Sequence, residues 1–94
     1  MLLESLRYFL AVVKTMSFSE AAEELNISQS ALSKKIKSLE LDLDVLLFYR
    51  TTRAIQLTEA GTALVPLANE AVLLENRVEA QMRRFRLRTK EVLR

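Results

Sequence analysis

The side chains best suited to recognition chemistry in this sequence lie in one short segment. Gln29, Ser30, Ser33 and Lys34 occur at helical spacing, which places them on one face of a helix. A glutamine amide can bond adenine through two hydrogen bonds, and a lysine can donate to guanine O6 and N7. Serine hydroxyls can contact bases or phosphates. The pattern predicts a helix face that reads base edges in the DNA major groove.

The composition of the chain argues against catalysis. The 94 residues include no His and no Cys, and they contain one Gly. The commonest general base, the commonest metal ligand and the thiolate nucleophile are therefore missing, and no Gly-rich phosphate loop can form. We expect no enzymatic activity, no catalytic residue, no metal site and no cofactor within this chain.

Basic residues and hydroxyls surround the predicted reading face. The net charge is only +2, but Lys and Arg are concentrated between residues 29 and 53 and again in the tail from residue 83. Such clusters are the electrostatic footprint of a polyanion partner. A basic hairpin tip also suits the narrow minor groove. The predicted phosphate contacts are Ser17, Ser19, Ser28, Lys35, Lys37, Arg50, Thr51 and Thr52.

Three short helices are predicted to position these groups. An apolar stripe at helical spacing indicates a first helix over 2–15. Ser17 and Glu20 form a capping box that starts a second helix over 18–25. The three-residue break 26–28 gives an Asn that tolerates the left-handed conformation and a Ser that can cap a third helix over about 29–42.

A β-hairpin is predicted to follow the third helix. The apolar run 45–49 and the alternating run 54–57 suit two short strands, and the polar segment 50–53 suits the turn between them. Two helices joined by a tight turn and followed by a hairpin form a helix-turn-helix with a wing.

The rest of the chain is predicted to be one long helix beginning near Glu59. Apolar residues recur at alternating intervals of three and four, with Gln81 as the one polar member, which is typical of a coiled-coil seam. The predicted dimer interface consists of Leu64, Leu67, Ala71, Leu74, Val78 and Phe85. Pro66 is expected to bend or loosen the first turns of this helix.

The order and spacing of these motifs resemble the N-terminal domain of LysR-type transcriptional regulators. The matching segments are SFSEAAEEL, ISQSALSKKIKSLE, LLF-R-T and LTEAG, and the similarity covers nearly the whole chain. It implies a mainly α winged helix-turn-helix, a dimer formed through the linker helix, and transcriptional control. It also assigns base contacts to Gln29, Ser30, Ser33 and Lys34 on the recognition helix. A further base contact, from the wing, is assigned to Arg53.

Three residues depart from the family pattern. The family often has Pro at the position of Ser30, Gly at that of Asp44, and a basic residue at that of Glu4. We therefore expect a different start to the recognition helix, local strain at Asp44, and a weaker phosphate contact near Glu4.

The resemblance also sets the expected organisation. Residues 1–58 form the DNA-binding domain, and residues 59–94 form the dimerisation helix, with a basic end that can fray from about residue 87. The family's C-terminal effector domain, where a small-molecule effector is expected to bind, is absent from this chain. The expected partners are double-stranded DNA and a second copy, with tetramers possible for the full-length protein and no membrane. The expected location is the bacterial cytoplasm, at the nucleoid.

A different class of function fits part of the same pattern. In a pure interaction module, the long helix would pair with a partner and the basic face would only be solvated. Retention of particular genomic fragments in a gel shift separates the two hypotheses, since an interaction module would retain none of them or all equally.

Overall fold

Four helices and one β-hairpin make up the residues that the structure describes, which are 2–51 and 54–92. In this computed structural model the elements are α1 (Leu2–Thr15), α2 (Phe18–Leu25), α3 (Gln29–Leu43), β1 (Phe48–Arg50), β2 (Ile55–Leu57) and α4 (Glu59–Val92). The predicted mainly α winged helix-turn-helix with a long final helix is confirmed.

Local capping sets the boundaries of α2 and α3. The Ser17 hydroxyl accepts a hydrogen bond from the Glu20 amide at 3.1 Å, and the Ser28 hydroxyl accepts one from the Ala31 amide at 3.0 Å. Each bond satisfies an amide that has no partner within its helix. Asn26 ends α2 at φ 57°, as its residue type predicted. The turn between the two helices therefore spans only three residues.

Asp44 ends α3 in the same left-handed conformation, with φ 57°. Its amide bonds the Leu41 carbonyl, and the Val45 amide bonds the Glu40 carbonyl. This pair of bonds is the Schellman arrangement, in which glycine is the usual residue at the left-handed position. Asp44 thus has the left-handed conformation on which the expectation of local strain rests, and the strain itself stays a prediction.

The hairpin differs from its predicted bounds at both strands. Phe48 pairs with Leu57, and Arg50 pairs with Ile55, in an antiparallel register. The prediction of a strand beginning at residue 45 was wrong, because Val45 and Leu46 lie before the ladder with 41% and 60% of their surface exposed. Arg50, predicted to lie in the turn, is the last residue of β1.

The core lies where α1, α2, α3 and the hairpin meet. Its largest fully buried side chains are Phe9, Leu32, Ile36, Leu39, Leu47 and Val12. The rings of Phe9 and Phe48 are 5.5 Å apart, and Phe18 meets Phe48 edge-on at 5.9 Å. The buried stripe of α3 holds that helix from behind, so its opposite face is left to solvent.

Thr58 and Gly61 join the hairpin to α4. The Thr58 hydroxyl accepts from the Gly61 amide at 2.9 Å and donates to the Leu46 carbonyl at 2.6 Å. The Thr58 amide donates to the Leu47 carbonyl at 2.9 Å. A Cβ atom on Gly61 would lie 2.3 Å from that same carbonyl oxygen, so only glycine lets the helix approach this closely.

Helix α4 packs its first half against the domain and continues unbroken through Pro66 to Val92. Ala68 on this helix is fully buried. The Arg7 guanidinium on α1 bonds the Glu75 carboxylate and the Asn76 amide oxygen, which fixes the direction of the helix relative to α1. At about 1.5 Å per residue, its 34 residues span about 51 Å.

Candidate nucleic-acid interface

The predicted reading face of α3 is available to a partner. Gln29, Ser30, Lys34 and Lys37 are exposed, and Ser33 is half-buried. The buried residues of α3 lie on the other side of the helix. The structure therefore places the predicted base-contacting residues of α3 together on one surface, free of the chain's own core.

Three segments that are distant in sequence meet at one end of this face. Ser17 and Ser19 from the start of α2, Gln29 and Ser33 from α3, and Arg50 and Thr51 from the hairpin line a common surface groove. A second groove runs along α3 between Gln29 and Lys37 and shares Gln29 and Ser33 with the first. The fold thus brings together most of the predicted contact residues into a continuous polar and basic surface.

The serine hydroxyls at the helix starts have local roles. Ser17 caps α2, and Ser28 caps α3 while its Oγ lies 3.3 Å from the Ser30 Oγ. Both helix starts open on the exposed side of the domain, where unpaired amides and the positive end of the helix dipole favour a phosphate. Ser19 is exposed beside the α2 cap. The predicted phosphate contacts at these serines remain predictions.

Arg50 is held by intramolecular contacts. Its Nη1 donates to the Ser33 Oγ at 2.9 Å, and its Nη2 lies 3.8 Å from the Glu40 Oε1. The guanidinium also lies over the Phe18 ring, 4.5 Å from the centroid. The side chain predicted to contact phosphate is therefore engaged with α2, α3 and a buried carboxylate.

Glu40 has a structural role beside the candidate site that the sequence reasoning missed. It is 8% exposed, and its Oε2 accepts from the Leu47 amide at 2.8 Å and the Phe48 amide at 3.3 Å. These bonds fix the entry to β1. An acid five residues before an apolar run is a weak sequence signal, since only the fold shows that its carboxylate turns inward.

Lys35 lies to one side of the reading face. Its ammonium is 3.3 Å from the Glu4 carboxylate and 5.5 Å from the centre of the Tyr8 ring. Both partners belong to α1. Glu4, the residue that departs from the family pattern, therefore forms an ion pair with Lys35. Of the lysines predicted to bind phosphate, Lys37 lines the α3 groove, whereas Lys35 is tied to α1.

The tip of the wing is only partly described. Thr51 bonds Ala54 across the turn through its amide and its hydroxyl. Thr52 and Arg53, predicted to contact phosphate and base, lie outside the described residues.

The predicted seam of α4 divides into two parts. Leu64 and Ala71 pack partly against the chain's own core, so they are not simply presented to a partner. The other large apolar side chains considered on α4 have 47–61% of their surface exposed. They comprise the predicted Leu67, Leu74, Val78 and Phe85, together with Leu73 and Met82, which the sequence reasoning omitted.

One ion pair stands out in the projecting half of α4. Arg86 donates a hydrogen bond to Glu79 at 2.6 Å. This bond and the positive charge of the Arg86 guanidinium lower the pKa of the Glu79 carboxyl.

Within residues 2–51 and 54–92, no three or more His, Cys, Asp or Glu side chains lie together in a group that could hold a metal ion. In the same part of the chain, no helix combines the length and apolarity needed to cross a bilayer.

Comparison with known proteins points to one family. Residues 3–62 match the family model described as bacterial regulatory helix-turn-helix protein, lysR family. An uncharacterized HTH-type transcriptional regulator from the ibpB-leuC intergenic region of Azotobacter vinelandii is 54% identical over 66 residues. That alignment covers 70% of this chain and 46% of the relative, so the chain spans less than half of the relative's length.

Two solved structures have nearly the same fold. A crystal structure of a CbnR_DBD–DNA complex gives a TM-score of 0.84 at 35% identity and covers 88% of this chain and 95% of that one. A BenM_DBD/catB site 1 DNA complex gives 0.84 at 34% identity and covers 90% and 96%. The shared fold, the family model that matches residues 3–62 and the similar relative lead to one conclusion. This chain belongs to the lysR family of bacterial regulatory helix-turn-helix proteins.

Proposed function

We propose that this chain binds double-stranded DNA at specific sequences as a dimer and controls transcription. Helix α3 would enter the major groove and the wing would follow the adjacent minor groove. The observation that carries the proposal is the convergence of α2, α3 and the hairpin on one exposed surface that contains Gln29, Ser33 and Lys34.

The solved neighbours support this assignment at the level of the domain. CbnR_DBD and BenM_DBD were each crystallised with DNA, and each matches this chain over nearly its whole length. A duplex groove about 12 Å wide accepts one helix, and α3 offers an unobstructed side. The proposed class is therefore a binding protein and not an enzyme.

Helix α4 supports the proposed dimer. Its second half carries apolar side chains with no core to cover them, and a second α4 would bury them in an antiparallel or parallel pair. Two copies would present two α3 helices to two half-sites, as in other dimeric helix-turn-helix proteins. In the full-length protein, tetramers are also proposed.

The remaining parts of the proposal come from the family resemblance. A small-molecule effector would act through a part of the protein outside residues 1–94, and no cofactor is proposed within them. Because bacterial chromosomal DNA lies in the cytoplasm, the proposal places the protein there, at the nucleoid.

Selection of bound sites from a random duplex library tests the proposal. We expect an enriched motif with two related half-sites, whose symmetry reports the symmetry of the dimer. Affinity for that motif should fall steeply with salt, because each neutralised phosphate releases counterions. Failure to enrich any motif, with equal retention of all duplexes, would instead favour the interaction-module hypothesis.

A matched lysine pair sharpens the test. Lys34 lies on the α3 face, whereas Lys14 lies at the end of α1 beside Glu24, at 3.6 Å. Lys34→Ala should change the selected motif, and Lys14→Ala should leave both motif and affinity unchanged. Equal effects of the two changes would mean that general charge, and not the α3 face, accounts for binding.

A further inference from the structure

Arg50 is placed to control the hydrogen bonding of a side chain on the reading face. Its guanidinium lies between Glu40, Phe18 and Ser33, and its side chain is 28% exposed. Glu40 is itself anchored by the Leu47 and Phe48 amides. The carboxylate cannot follow Arg50 outward without giving up those bonds, so the arginine is tied to a fixed point of the fold.

The contact with Ser33 has a defined direction. A guanidinium has only donors, so in the 2.9 Å contact the Ser33 Oγ must accept. One lone pair of the hydroxyl is thereby occupied, and its hydrogen is directed away from Arg50. A positive group behind the hydroxyl also makes it a poorer acceptor for a second donor. Ser33 is thus prepared to donate.

We propose that Arg50 is a positioning residue that presets Ser33 as a hydrogen-bond donor and thereby determines which base is accepted opposite it. This inference rests on the proposed DNA-binding function. In the major groove, guanine O6 and N7, adenine N7 and thymine O4 are acceptors, whereas the cytosine N4 amino group is a donor. The base facing Ser33 should therefore be one that offers an acceptor, and cytosine should be disfavoured there.

This role differs from the phosphate contact that the sequence predicted for Arg50. A phosphate would have to compete with the Glu40 carboxylate, which already shares the arginine's charge. Lys37, which lines the α3 groove and forms no ion pair with a described residue, is the contrasting case. The two roles make different predictions for salt dependence and for base preference.

The experiment compares R50M, S33A and the double variant R50M/S33A on the motif selected by the wild-type chain. Each duplex in the series carries a different base at one position of both half-sites, and affinity is measured by fluorescence anisotropy over a range of salt. We expect S33A to lose about two- to tenfold discrimination at a single base position, the value of one hydrogen bond. R50M should lose the same discrimination at the same position, and the double variant should lose no more.

The salt slope separates positioning from phosphate binding. R50M should retain the wild-type slope of log K against log salt, whereas K37A should lower it by about 1 with its base preference intact. R50K provides a second test if R50M does not fold, as judged by circular dichroism. A single ammonium lacks the planar fork that reaches both Glu40 and Ser33, so R50K should also lose the preference and keep the slope.

Two results would overturn the inference while leaving the proposed function intact. One is a lower salt slope in R50M, restored in R50K, with base preference unchanged in both, which would make Arg50 a phosphate contact. The other is unchanged discrimination in S33A or in a folded Arg50 variant. If the wild-type chain selects no motif at all, the proposed function fails first and this inference fails with it.

Discussion

Replacing Gly61 by Ala tests how closely α4 must approach the hairpin. The new Cβ would lie 2.3 Å from the Leu47 carbonyl oxygen and 2.8 Å from the Leu57 Cδ2. Real Cβ contacts are essentially never below 3.0 Å, so the backbone must separate by about 0.7 Å, the difference between 3.0 and 2.3 Å. The Leu47 carbonyl also accepts the Thr58 amide at 2.9 Å, so the same movement strains that bond.

The two opposing effects of this substitution can be compared. Alanine in place of glycine favours a helix by about 1 kcal/mol at most. Overpacking against backbone costs about 1–3 kcal/mol, and a weakened hydrogen bond costs about 1 kcal/mol more. The free energy of unfolding should therefore fall by about 2 kcal/mol. For a domain of this size, that lowers the melting temperature by roughly 10 °C.

Thermal and urea unfolding at one fixed protein concentration measure the effect, because dimerisation makes stability depend on concentration. Ala63→Gly is the control, since Ala63 is exposed two residues further along α4. It should cost about 1 kcal/mol through helix propensity alone. If G61A proves as stable as the wild-type chain or more stable, helix propensity dominates and the argument from close approach is wrong.

Three further predictions concern binding and assembly. Replacing Leu74 and Val78 by Glu should yield monomers in sedimentation and weaken operator binding, because both side chains lie on the uncovered part of α4; a variant that remained dimeric would disprove the seam. Gln29→Ala should relax base preference in library selection at the position that prefers adenine, and an unchanged motif would place the reading residue elsewhere. Lys37→Ala should weaken all duplexes about equally, and Lys14→Ala should weaken none of them; titration of binding against salt measures both.

Periodicity and capping were enough to predict the helices. The serines at positions 17 and 28 and the asparagine at position 26 act through bonds to residues at most five positions away, so their roles are visible in the sequence. The reading face of α3 was also predictable from local sequence. The apolar stripe at helical spacing marks the buried side of the helix, and the reading face is the side opposite.

The parts that were not predicted depend on contacts between distant residues. The apolar run from residue 45 gave no sign that Glu40 would capture the Leu47 and Phe48 amides and so delay the strand. The pairing of Lys35 with Glu4 joins residues 31 positions apart. The period of the α4 seam could not show which of its residues pack on the chain's own core and which are left for a partner. Both kinds of contact follow the same spacing along a helix.

The left-handed helix ends have a consequence for how this domain tolerates change. Met16, Asn26 and Asp44 all have φ between 51° and 57°, and none of them is glycine. Such a conformation costs a residue with a Cβ about 1 kcal/mol, less for Asn and Asp. Asp44→Gly, at the end of α3 remote from Gln29, would recover part of that cost without touching the reading face. Evolution or engineering could use this reserve of stability to offset harmful substitutions on the binding surface, and so let binding specificity diverge while the fold is retained.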